Sequence, residues 1–126
     1  MQLEEILISM KVFETDIFPF VFCVAELNER KEITDTFLDA DGYEITYPDC
    51  ISGLVVRAKY KDTGSMCSLI VINRKNSNIG TIAHEANHSA ENLLENIGVY
   101  HNSNTSEVYS YVIGFIAQKI YETLWE

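Results

Sequence analysis

Residues 84–88 read His-Glu-Ala-Asn-His, an instance of H-E-x-x-H, and this spacing constrains the chain more than any other feature. Side chains four residues apart stack on one face of an α-helix, so both imidazoles reach a single ion only if the segment is helical. The intervening Glu85 lies about 100° around the axis from His84. From there it can reach a water on the metal without being a ligand itself. The flanking residues agree with a helix. Ile82, Ala86, Ala90, Leu93 and Ile97 recur at helical spacing, Ser77 or Asn78 can cap the start, and Gly98 marks the stop.

The rest of the chain divides into a strand-rich first part and a helical last part, which is an α+β pattern. Lys11–Asp16 and Ile17–Glu26 read as one or two strands, with Pro19 marking a bend or an edge. Asn28–Leu38 reads as a short helix with Ile33, Phe37 and Leu38 on one face. Asp39–Gly42 reads as a turn and Tyr43–Tyr47 as a short strand. Gly53–Lys61 and Met66–Asn73 read as two strands of a hairpin closed by Asp62–Ser65. A second helix is expected from about Ser106 to Trp125, with Val108, Val112, Phe115, Ile116, Ile120 and Leu124 as its apolar stripe. The whole of 1–126 reads as a single domain, with 1–9 a possible extension ahead of it.

A catalytic zinc needs a third protein ligand and an open position. A metzincin would place glycine at 91 and histidine at 94, but the chain has Glu91 and Leu94, which excludes that class. A gluzincin instead takes a glutamate from a second helix, and Glu107 stands 19 residues after His88. Asn104-x-x-Glu107 also reads as a capping box, in which Glu107 would bond the helix start. His101 is the main rival ligand, with Glu91 and Glu95 behind it. Tyr111, one turn from Glu107, is the first candidate either as donor to the oxyanion that forms at a substrate carbonyl or as a hydrogen-bond partner of a metal ligand. Tyr109 and His101 are alternatives, and both tyrosines can equally be packing residues. Met66–Asn73, the strand before the motif helix, is the candidate edge on which an extended peptide could pair, although its apolar character also fits an interior strand.

HEANH followed by SEVYSYVIG at 106–114 resembles small H-E-x-x-H proteins of the zincin superfamily from bacteriophages and mobile elements. The resemblance is strong over roughly the last 60 residues; before them it rests on the order and type of strands. It implies a minimal zincin-like domain with His84, His88 and Glu107 as zinc ligands and Glu85 as catalytic base. Many large gluzincins carry an Asp one turn after the ligand Glu, where this chain has Tyr111. The support of the metal-bound histidines must therefore differ.

On this reading the chain is a zinc-dependent metallopeptidase acting on a peptide or protein. The alternatives are a zinc-containing interaction protein without turnover, and a zinc amidase or other hydrolase of non-peptide bonds. A formal net charge of −10 argues against nucleic acid and against anionic membranes as partners. Cys23, Cys50 and Cys67 form no CxxC pair and read as small apolar fillers in a reducing compartment. The N-terminus, with Glu4 and Glu5, does not make a signal peptide, and no apolar run is long enough for a membrane span. The expected location is the cytoplasm, the host's if the protein is phage-encoded.

Overall fold

The computed structural model describes residues 10–14 and 20–126. Its elements are β1 (Lys11–Glu14), β2 (Val21–Glu26), α1 (Arg30–Thr36), β3 (Phe37–Asp39), β4 (Gly53–Tyr60), β5 (Met66–Ile72), α2 (Ile79–Asn96) and α3 (Ser106–Trp125), with a 3-10 turn at Arg74–Asn76. The five strands form one mixed sheet in the order β1-β2-β5-β4-β3. Only β2 and β5 run parallel; the other three pairs are antiparallel. The fold is therefore α+β, as the sequence predicts. Pro19 lies outside the described residues.

Both faces of the sheet are covered, and alternation along the strands sorts side chains between them. Phe22, Val24, Ile70 and Ile72 face α2 and α3, where Ala86, Ala90, Leu94, Val112, Ile116 and Ile120 meet them. Cys23, Ala25, Leu69 and Val71 face the other way, toward Ile33, Phe37, Ile45 and Tyr47. The near-continuous apolar run of β5 follows from this, because a central strand buried on both faces has no polar side.

Three expectations are corrected here. Met66–Ile72 is an interior strand, paired with β2 on one side and β4 on the other, so it offers no free edge. Phe37 and Leu38 do not continue the short helix. Phe37 turns extended (φ −125°, ψ 153°), and its ring packs 4.8 Å from that of Tyr60 across the β3–β4 pair. Tyr43–Tyr47 is not a strand. Its inward Ile45 and Tyr47 and outward Glu44 and Thr46 give strand-like periodicity without a ladder partner. Instead the Arg30 guanidinium donates to the Tyr47 carbonyl at 2.8 Å and stacks on the Tyr47 ring.

The helix ends follow local chemistry closely. Asn78 caps α2 in a reciprocal box with Thr81, each side chain accepting from the other's backbone N–H. At the far end Gly98 adopts φ +82°, where a side chain would be strained. There Val99 N–H bonds Leu94 O and Gly98 N–H bonds Glu95 O, the paired bonds of a Schellman motif. Two of the three cysteines, Cys23 and Cys67, are buried fillers, whereas Cys50 is exposed in the loop before β4 and fills nothing. Among the described residues no helix is long and apolar enough to cross a membrane.

Candidate metal centre

The motif helix α2 lies across β4 and β5. Polar contacts help to fix it there. Ser89 and Ser68 share a buried hydroxyl–hydroxyl bond of 2.8 Å between α2 and β5. Nearer its end, Asn92 Oδ1 accepts from Arg57 Nε of β4 at 3.0 Å. This seating buries Glu85 and leaves His84 and His88 exposed on the neighbouring strip of the helix.

The two imidazoles converge. His84 Nε2 and His88 Nε2 are 3.2 Å apart, with the rings at 83° to one another. Two nitrogens bound to one tetrahedral zinc at ordinary lengths stand about 3.3 Å apart, so this pair already has the separation that such an ion requires. His88 Nδ1 lies 3.3 Å from Glu91 Oε1.

Glu85 is 7% exposed. Among the described residues nothing hydrogen-bonds its carboxylate. Burial pushes this carboxyl above the ordinary carboxylate value, and His84 and His88 pull it partway back. Its wall is Gly53, the first residue of β4. A β-carbon built on Gly53 would sit 2.8 Å from Glu85 Cγ and 3.1 Å from Oε2. Gly53 is a site residue that sequence reading missed; a glycine opening a strand is the faint signal that could have found it.

An open groove of about 360 Å³ runs between Gly53, Leu54 and Val55 of β4 and His84, Glu85, His88 and Asn92 of α2. One side of it is an unpaired strand edge. Asn73 N–H bonds Ser52 O and Tyr60 N–H bonds Ser65 O, so the even-numbered residues of β4 direct their backbone groups at β5. Odd-numbered residues face β3, as Lys61 N–H bonding Thr36 O attests. Because β3 ends at Asp39, opposite Ala58, the backbone groups of Gly53, Val55 and Arg57 have no ladder partner among the described residues. The free edge expected beside the motif helix thus belongs to β4 rather than β5.

The remaining expected residues are placed as follows. Glu107 is exposed in the first turn of α3 and is not brought to the histidines. Among the described residues no three His, Cys, Asp or Glu side chains stand close enough together to hold one ion. The reason is axial. His88 lies eight residues before the end of α2, about 12 Å along the helix, whereas Glu107 follows almost at once after the chain reverses. Nor does Glu107 form the capping box with Asn104, since the residue that precedes α3 as its N-cap is Thr105, and it makes no side-chain cap. Tyr109 is buried, its hydroxyl donating to Val99 O at 2.7 Å and its ring against His101, so it is a packing residue. Tyr111 is 61% exposed and does not line the groove.

Compared with protein-family models, curated proteins and solved structures, the chain has no match, so the centre rests on its own geometry.

Proposed function

We propose that the groove is the active site of a zinc-dependent hydrolase on a zincin-like domain, with a peptide as substrate. One observation carries the reading. The carboxylate of Glu85, a residue otherwise packed away at the helix–sheet interface, opens onto a groove beside two imidazole nitrogens set 3.2 Å apart. A structural zinc site has no use for such a carboxylate.

His84 and His88 would hold the ion through Nε2. Zinc bound there would supply Lewis acidity, bringing a water's pKa near neutrality. Glu85 takes the proton of the attacking water on its carboxylate and hands it to the leaving nitrogen. The open β4 edge at Gly53, Val55 and Arg57 can hold an extended peptide by main-chain hydrogen bonds. That favours a peptide over other amides. Glu107 is the proposed third donor from α3 and Glu91 the alternative from α2, while Tyr111 remains the proposed oxyanion donor. Both Glu107 and Tyr111 stand away from the groove, so either role requires α3 to shift along α2 toward it.

The test is elemental analysis with a peptide-library digest. The expected result is one zinc per chain and cleavage by the zinc-loaded protein, with both lost in His88→Ala. Zinc uptake without any cleavage would move the reading to an interaction protein, and no zinc uptake at all would sink it.

Glu107 has its own test. If it is the third ligand, Glu107→Gln lowers zinc affinity by more than the roughly 10–100-fold of an outer-shell change. Because the side chain is exposed, the melting temperature of the metal-free protein should stay nearly constant. Calorimetric titration giving wild-type affinity in Glu107→Gln would remove it from the site.

A further inference from the structure

A neutral imidazole carries one N–H and one lone pair, and which nitrogen holds which decides whether a histidine faces a metal correctly. His88 has a neighbour at each ring nitrogen: Glu91 Oε1 at 3.3 Å from Nδ1, and His84 Nε2 at 3.2 Å from Nε2. An ionised carboxylate can only accept. The contact with Glu91 therefore selects the His88 form whose proton is on Nδ1, leaving the Nε2 lone pair directed at His84 and the groove. The other arrangement would set two lone-pair-bearing atoms, Nδ1 and Oε1, against each other.

The same logic passes to His84. With a lone pair on His88 Nε2, the short contact is a hydrogen bond only if His84 carries its proton on Nε2. The three side chains then form one directed chain, from His84 Nε2–H to His88 Nε2 and from His88 Nδ1–H to Glu91. An ion entering here meets His88 already in its binding form, and only His84 must move its proton to Nδ1.

We infer that Glu91 is a positioning residue for His88, a carboxylate one turn along the same helix that fixes both tautomer and ring orientation. Helix geometry makes the arrangement natural, since residues three apart are neighbours on the helix surface. The contact is half exposed, with side chains 50% and 42% accessible, so it adds little to fold stability. Its effect falls on the proton's position, since free histidine in water prefers the proton on Nε2. This inference rests on the zinc reading for its consequence but not for its geometry, and the two can fail separately.

The experiment compares the full-length metal-free protein with Glu91→Ala and Glu91→Gln. Long-range proton–nitrogen NMR of the histidine rings is recorded near pH 8, where an unperturbed imidazole is neutral. The expected wild-type signature is Nδ1–H on His88, shifting to Nε2–H in Glu91→Ala and largely kept in Glu91→Gln, whose amide oxygen still accepts. Zinc titrated into the same samples should bind about 10–100-fold more weakly to Glu91→Ala, with partial recovery in Glu91→Gln. An Nε2–H tautomer on wild-type His88, or one unaltered by Glu91→Ala, overturns the inference. So does a cobalt(II)-loaded spectrum whose coordination changes in Glu91→Gln, because Glu91 would then be a ligand. The tautomer shift without zinc uptake in any sample upholds the positioning role and sinks the zinc reading instead.

Discussion

Glu85→Gln is expected to keep one zinc per chain and lose about 10²–10⁴-fold of peptide hydrolysis, the contribution of a positioned general base. The substitution preserves shape, so the groove and the histidine pair stay as they are. It also removes a carboxyl that partial burial holds above the ordinary carboxylate value, so its ionised form costs the fold some stability at neutral pH. The melting temperature should therefore stay level or rise as activity falls. Steady-state cleavage, metal analysis and thermal unfolding on one preparation check all three. Loss of zinc from Glu85→Gln to the extent seen in His88→Ala would make Glu85 a ligand rather than a base.

Gly53→Ala should disable the site from the opposite wall. The added methyl would lie 2.8 Å from Glu85 Cγ, inside any tolerated contact. The side chain is short and its helix is held to the sheet by the Ser68–Ser89 bond. Glu85 must therefore swing outward or β4 must shift. Displacing a catalytic group by about 1 Å costs on the order of 10²-fold in rate, and overpacking costs about 1–3 kcal/mol in stability. A double-mutant cycle isolates the contact. In a Glu85→Ala background the methyl has room, so Gly53→Ala should destabilise the protein much less there than in wild type. Equal destabilisation in both backgrounds would show that Gly53 is needed for its backbone and not for Glu85.

Sequence patterns specified what is local and left open what depends on partners across the fold. α2 is legible because its cap, apolar spacing and glycine stop all lie within 21 consecutive residues, Asn78 to Gly98. α3 was equally clear, with bounds at Ser106 and Trp125 as expected. His84, Glu85 and His88 come together because helix geometry alone brings them together. Strand order has no such local code. β2 inserts beside β5 in parallel, which makes β5 interior and gives the open edge to β4. Tyr43–Tyr47 alternates like a strand, but where its backbone bonds go depends on Arg30, thirteen residues earlier than Tyr43. An antiparallel helix pair could bring Glu107 beside the histidines, but the sequence does not say how far along α2 the chain travels before it turns back.

The sheet's two covers differ in kind, and the difference bears on which part of the molecule loosens first. One cover is two long helices. The other is a seven-residue helix and an irregular stretch through Ile45 and Tyr47. Segments with few regular backbone bonds open at lower free energy than packed helices. Fraying of the thinner cover stops short of the groove, because Asn73 and Ser77 pin the chain just before β4. Asn73 bonds the Ile51 and Ser52 carbonyls, and Ser77 also bonds that of Ser52. His84, Glu85 and His88 ride on the thicker cover and the pinned segment holds Gly53 against them, so their spacing should outlast local openings that expose the other face of the sheet.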